Sequence, residues 1–473
     1  MKKLLFKLLV SLISVSMVIA FSLSSCTTTE TKATTAAETT AVATTAAETT
    51  AVATTAAAKA YNIKAWEGTE ITVALDDRWE NHQMMELIPQ FEEATGIKVN
   101  LEEMPEATLF DKTKLDLEGG TGLYDVEMGR YTDPATYAPT GQLFVIDDFV
   151  KDPTLTNPDW FSMDNFFSTS INGLTYNGNL YGLPLFFQTN VLTIRTDIFE
   201  EKGITKPPDS YDELIDVLEK ITDKPNLYGI GYRGSTAFCG AEWPWSSMLG
   251  TFGGKWFDEN LKPVFNGPEG VKATELFIRL LKDYGAEGQI NWHWAELINT
   301  LSEGNLGIIL DVTEMRTGAE DPKISKVAGK LGTYFVPYAE ETGERCAGFW
   351  IWGIMIPNAA KNKEASWQFE QWWTSTDVGI HSHYPSTKES IKAVYSGLQN
   401  PEGWPTVDEV VLESLEKYSP PDYRPRVSEM PEISDIVSVE LNNVMLGNKT
   451  PQEALDFAAA EVEKLMESAG YYK

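Results

Sequence analysis

Short apolar runs alternate, from about residue 70 onward, with stretches in which apolar residues recur every three or four positions. Ile71-Thr-Val-Ala-Leu75 reads as a strand. Met84, Leu87, Ile88 and Phe91 follow at helical spacing, and Gly96 closes that helix. Ile97 to Leu101 alternates as the next strand. Strand, helix and strand in succession make a βαβ unit, whose strands are parallel and whose crossover is right-handed. In open α/β sheets ligands sit at the carboxyl ends of strands. Here that end is Asp76-Asp77-Arg78-Trp79, with an exposed charged turn as the plain alternative.

A second informative stretch runs from Asn177 to Leu214. Asn177-Gly178-Asn179 suits a turn with positive φ. The chain is then apolar and extended through Val191-Leu192-Thr193-Ile194. Thr196 or Asp197 caps a short helix that stops at Gly203. Pro207-Pro208 holds the chain extended, and Ser210-x-x-Glu213 is a capping box. Leu214, Val217, Leu218 and Ile221 fall on one face of the helix that follows.

The amino terminus has a different character. Lys2, Lys3 and Lys7 precede an apolar run from Leu8 to Ser24, and Leu23-Ser24-Ser25-Cys26 is a lipobox. Residues 1–25 therefore read as a lipoprotein signal peptide, with lipid on the Cys26 thiol. Two or more acyl chains give stable anchoring, so the expected location is the outer face of the cell membrane. Residues 26–65 form a Thr/Ala-rich linker in which T-T-A-A-E-T-T-A-V-A occurs at 34–43 and again at 44–53. It cannot bury a core, and as a flexible coil it spans roughly 30 Å.

The body that remains, about 410 residues, suffices for two ordinary domains. The formal net charge of −31 becomes more negative once the signal-peptide lysines are removed, which argues against nucleic acid or anionic lipid as partners. Cys239 and Cys346 can pair outside the cytoplasm or sit as two buried thiols. No P-loop, G-x-S-x-G or H-E-x-x-H motif occurs. His381-x-His383 is the only close histidine pair, so neither a metal nor a cofactor is expected. Carboxylates are plentiful enough that counting alone does not exclude a glycosidase pair, but no motif supports one.

The stretch from Asn177 to Leu214 resembles a segment of the family 1 extracellular solute-binding proteins, the sugar-binding components of ABC importers. Tyr181, Gly182, Pro184, Asp197, Phe199, Gly203, Pro208 and Glu213 are in register with that family's pattern. Further similarity lies at Tyr124-Asp125-Val126, Gly253-Gly254, Phe265-Asn-x-Pro268-Glu-Gly270, Gly304-x-x-Gly307, Gly348-Phe349-Trp350-Ile351-Trp352-Gly353 and Thr450-Pro451-x-x-Ala454-Leu455. The resemblance implies an α/β, two-lobed periplasmic-binding-protein-like fold, each lobe a mostly parallel sheet flanked by helices, joined by hinge strands. It implies a first lobe of residues 66–188 and 312–363 and a second of 189–311 and 364–473. The chain would cross near Gln188-Thr189 and return near Asp311-Val312.

It also implies a carbohydrate ligand, ABC permease partners, a monomer and no catalysis. The ligand residues it points to are Asp77, Arg78, Trp79, Arg130, Tyr131, Phe187, Trp243, Trp245, Asp311, Glu314, Trp350 and Trp352. Arg130 offers a fork of donors and Tyr131 a flat face. Trp243 and Trp245 lie where the family stacks sugar. After Asp311 this chain has Val312-Thr313-Glu314-Met315 where family members often place Trp. A non-sugar solute, or an exported glycan-active enzyme, is the competing reading.

Overall fold

The computed structural model describes residues 60–472 except 383 and 384. The signal peptide, Cys26 and most of the linker lie outside the described residues. Ten strands occur among the described residues: β1 (Glu70–Asp76), β2 (Lys98–Met104), β3 (Val126–Arg130), β4 (Thr175–Tyr176), β5 (Asn179–Leu180), β6 (Gly182–Arg195), β7 (Tyr228–Gly231), β8 (Leu306–Val312), β9 (Leu331–Tyr334) and β10 (Phe349–Met355).

The expected βαβ unit is present. Strand β1 pairs in parallel with β2, Glu70 opposite Lys98 through Asp76 opposite Met104, and in parallel with β3. The single helix expected between β1 and β2 is two, Trp79–Met85 and Ile88–Thr95. Pro89 is the cause: it has no amide hydrogen to continue the first helix, yet suits the first turn of the second. Gly96, at φ 74°, closes that second helix.

The turn at Asn177-Gly178 joins β4 to β5, with φ 49° and 80° at those two residues. Strand β6 follows and organises the rest. Its first part pairs antiparallel with β10, from Gly182 opposite Met355 to Thr189 opposite Phe349. Its second part pairs antiparallel with β8, from Asn190 opposite Val312, and with β9. The order is β2-β1-β3-β10-β6-β8-β7, with β9 also on β6. The parallel pairs lie at the two ends, β2-β1-β3 and β8-β7, and the antiparallel pairs, β3-β10, β10-β6, β6-β8 and β6-β9, lie between them.

Between Thr189 and Asn190 the chain thus passes from one half of the sheet to the other. Two more segments meet it there: Thr313 N donates to Thr189 O at 3.0 Å and Asn190 N to Gly348 O at 2.8 Å. The return differs from the expected one at Asp311-Val312. After β8 the chain enters the helix Glu314–Ala319 and then β9, which still pairs with the second part of β6. It rejoins the first half at Gly348-Phe349.

Each half has its own core. Phe91, Tyr124, Leu183 and Ile354 are buried in the first; Leu214, Trp245, Phe265, Phe277 and Leu441 are buried in the second. The helix Lys363–Trp373 falls in a segment expected in the second lobe, but packs on the first. Phe369 meets Phe91 edge-on at 5.5 Å and Trp372 lies 5.0 Å from the same ring. Its apolar face of Ala365, Phe369, Trp372 and Trp373 is what the first core needs to cover Phe91, so the boundary at 363/364 does not hold for this helix. Cys239 and Cys346 are buried free thiols. Among the described residues no helix is long and apolar enough to cross a membrane.

Candidate ligand cleft

Side chains from both halves converge where β6 changes partners. Trp350, opposite Gln188 in β10, meets Tyr131 edge-on at 5.1 Å, Phe238 at 5.9 Å and Trp243 at 6.1 Å. Trp243 lies in the first turn of the helix Glu242–Thr251, and its Nε1 donates to Asn190 Oδ1 at 3.0 Å. That bond ties the second-lobe helix to the crossing point.

Two arginines flank the Trp243 ring, Arg424 at 5.2 Å and Arg233 at 5.3 Å. Arg424 donates through Nη2 to Glu242 Oε1 at 2.5 Å, and both side chains are 0% exposed. Arg233, just past the carboxyl end of β7, donates to both oxygens of Asp311 at 2.7 and 2.8 Å.

On the first-lobe side four flat groups stack in sequence. The Arg78 guanidinium lies 4.4 Å over the Trp352 ring, Trp352 is parallel to Phe110 at 5.9 Å, and Arg130 lies 4.2 Å over Phe110. Arg78 is held by Asp76 and, at 2.8 Å, by Glu106; Arg130 Nε is 3.4 Å from Asp133.

Each of these four arginines has a carboxylate partner. Burial pushes the Tyr131 phenol up to about 12 and the Cys239 thiol up to about 11, so both are neutral at physiological pH. Burial also holds the Tyr423 phenol well above its ordinary value. Four buried donors of this region, Trp350 Nε1, Arg424 Nε, Asn190 Nδ2 and, on the first-lobe side, Arg130 Nε, make no hydrogen bond among the described residues. Each such N–H costs ~1–3 kcal/mol, which an acceptor brought by a ligand would offset.

A family model for bacterial extracellular solute-binding proteins matches residues 80–380. The chain belongs to this family. Over 86% of its length it is 25% identical to the mannitol-binding protein of Pseudomonas aeruginosa, covering 95% of that protein. It is 26% identical to the erythritol/L-threitol-binding protein of Mycolicibacterium smegmatis, over 62% of this chain and 63% of that relative, so this match spans less than two thirds of the relative's length. Among solved structures, the ABC transporter solute-binding protein of Agrobacterium radiobacter K84 in complex with ribitol is 26% identical, with a TM-score of 0.70 over 85% of this chain and 99% of that one. The solute-binding protein shares the two-lobed fold of these relatives.

Tyr131, Trp243, Asp311 and Trp350 come together at the crossing of this solute-binding protein, with Arg78, Arg130 and Trp352 in the stack on the first-lobe side. Others lie elsewhere. Trp245 is a core residue: it is 0% exposed, donates from Nε1 to Thr274 Oγ1 at 2.8 Å and packs on Trp256 and Phe265. Residues two apart on a helix point about 200° apart, so Trp243 and Trp245 cannot face the same cleft. Phe187 is likewise core, edge-on to Phe167 and Phe349. Trp352 presents no bare face, since Arg78 covers one side and Phe110 stacks on the ring. Asp77 is exposed and 3.2 Å from His82 Nε2. Glu314 is buried beside Tyr395. The Trp79 side chain and Cys26 lie outside the described residues.

Arg424, Glu242, Arg233 and Asn190 are absent from the sequence-derived set. Arg233 stands after β7 as Arg130 stands at the end of β3, so the strand-end rule would have found it. Arg424 sits in the irregular run Ser-Pro-Pro-Asp-Tyr-Arg-Pro-Arg, which has no periodicity to read. Among the described residues Asp77, His82 and Glu103 bring ligand-type atoms together, but all three are exposed and contact one another. A separate cleft of about 610 Å³, lined by Phe166, Phe167, Asn172, Lys388 and Leu415, has no unpartnered buried polar atom on its lining residues.

Proposed function

We propose that this solute-binding protein captures a small neutral sugar or polyol between its lobes and delivers it to the permease subunits of an ABC importer. The observation that carries the reading is the group of three unpartnered donors, Trp350 Nε1, Arg424 Nε and Asn190 Nδ2, around Trp243 in a charge-balanced site. Hydroxyl oxygens supply the acceptors such donors need. A phosphate ester would call for cations without counter-charges, and a polyamine for unpaired carboxylates. Relatives that bind mannitol, erythritol or L-threitol, and ribitol support the same class.

Trp243, Trp350, Tyr131, Asn190 and Arg424 are proposed as the inner wall, with Arg130, Arg78, Trp352, Asp311 and Arg233 around it. Asp77, Trp79 and Glu314 are proposed as ligand residues on the resemblance alone. Thr189-Asn190, Thr313 and Gly348 are proposed as the hinge between the lobes. The reading includes no catalysis: Asp311 and Glu242 are each held by an arginine, which suits fixed counter-charges rather than a glycosidase acid. It also includes a thioether-linked lipid at Cys26, a monomer at the outer face of the membrane and no cofactor or metal.

Thermal denaturation of the purified protein across neutral sugars, polyols, sugar acids, amino acids and polyamines tests this. A true ligand at a hundredfold excess over Kd adds about 2.7 kcal/mol of stability. Stabilisation by an amino acid or polyamine but by no neutral polyhydroxyl compound would refute the assignment.

A further inference from the structure

The Arg424–Glu242 pair is unusual in being fully buried at the place where unpartnered donors converge. Ser434 Oγ donates to Glu242 Oε1 at 2.8 Å and Ser246 Oγ lies 3.3 Å from Oε2, so the carboxylate is fixed. Of the remaining guanidinium donors, Nη1 has only the weak acceptor Cys239 Sγ at 3.5 Å, and Nε, on the same edge as Nη2, has no partner among the described residues. The guanidinium carbon lies 5.2 Å from the Trp243 ring and 5.9 Å from the Trp350 ring. Arg424 thus keeps an unpartnered Nε–H beside Glu242, a donor to which a hydroxyl or a carboxylate oxygen can bond. Only the counter-charge beside it distinguishes this from an anion site.

We infer that Glu242 sets the charge selectivity of the cleft. By cancelling the Arg424 charge on the edge that also carries Nε, it leaves a donor that takes neutral hydroxyls and disfavours the carboxylate-bearing counterpart of the same compound. The inference rests on the proposed sugar or polyol function. The neighbouring cation cannot take over this role, because Arg233 is already matched by Asp311 through two bonds. A carboxylate entering beside Glu242 would place two anions on one cation in a low-dielectric site, where like charges interact strongly. Selectivity is a difference between two affinities, so removing this repulsion changes it without adding a contact.

The test compares matched neutral and acid compounds, D-mannitol with D-mannonate and ribitol with ribonate, by isothermal titration of the purified protein. Wild type is expected to bind a neutral member and to discriminate against its acid. Glu242→Gln keeps an oxygen for Arg424 Nη2 but removes the charge; the ratio of acid Kd to neutral Kd is expected to fall ~10-fold or more, chiefly through tighter acid binding. The Glu242→Gln/Arg424→Gln double variant, neutral again, is expected to lose that preference for acid. A merely structural role for Glu242 would weaken both members alike and leave the ratio unchanged, which would overturn the inference. If Glu242→Gln fails to fold, Arg424→Gln reads the effect in the opposite sense: its lone carboxylate is expected to raise discrimination against acid above that of the double variant, and equal ratios would overturn the inference. A wild type that prefers the acid, or binds no neutral member, overturns the proposed function and this inference with it.

Discussion

Trp350 of the first lobe and Trp243 of the second stand with ring centroids 6.1 Å apart, directly beside the point where β6 changes partners. Their indole N–H groups differ: Trp243 Nε1 is bound to Asn190, whereas Trp350 Nε1 has no partner among the described residues. The first ties the Glu242–Thr251 helix to the crossing point, and the second is the group proposed to engage a ligand.

The two tryptophans of the Glu-Trp-Pro-Trp run are expected to respond differently. Trp245→Ala opens a cavity beside Trp256 and Phe265 and is expected to cost ~3–5 kcal/mol of stability, with ligand affinity retained in the folded fraction. Thermal melts and a titration on the same sample check this. A Trp245→Ala protein that melts like wild type but no longer binds would return Trp245 to the cleft.

Removing one partner of a buried ion pair leaves the other charge uncompensated. Asp311→Ala strands Arg233, whose side chain is 9% exposed, and is expected to destabilise the protein by ~3–5 kcal/mol. Denaturant unfolding measures the change. A loss below about 1 kcal/mol would mean that water reaches Arg233 and that the pair is not sealed.

Glu370, in the helix Lys363–Trp373, is fully buried with both carboxylate oxygens unpartnered among the described residues. Burial raises its pKa well above 4.5, so the folded protein holds it as the neutral acid. A raised folded pKa contributes stability that is present below the unfolded value and lost as pH rises through the folded one. Glu370→Gln is therefore expected to melt above wild type at pH 7.5, with the gap closing as pH falls towards 4.5. A gap that is constant or widens on acidification contradicts this account.

The alternation of apolar runs made the βαβ unit, the Asn177-Gly178 turn and the capped helix at Ser210 legible, because each depends on neighbours close in sequence. The Ser210 cap accepts from Glu213 N at 3.2 Å, and Leu214, Val217, Leu218 and Ile221 are buried below it. The site was only partly legible, since its parts lie far apart along the chain. Trp243 meets Trp350 across more than a hundred residues, and Arg424 reaches Glu242 from a loop without periodicity. The helical phase that separates Trp243 from Trp245 was available in the sequence, but only once a helix was assigned there.

The proposed anchoring depends on residues before the folded body. Cys26→Ser is expected to release or mislocalise the protein in cells while leaving ligand binding by the purified protein unchanged. Fractionation and immunoblotting read the result, and a mutant still held at the membrane would mean that Cys26 is not the anchor.

Isothermal titration of mannitol, ribitol and erythritol into wild type and Trp350→Phe tests the central claim most directly. Wild type is expected to bind at least one of them at one site per chain. Trp350→Phe removes the unpartnered N–H together with part of the ring that packs on Tyr131 and Trp243, so at least about tenfold weaker binding is expected, with a lowered apo melting temperature from the cavity. A wild type that binds none of these compounds, or a Trp350→Phe protein that binds the same compound equally well, would contradict the claim that a polyhydroxyl ligand is held at this junction.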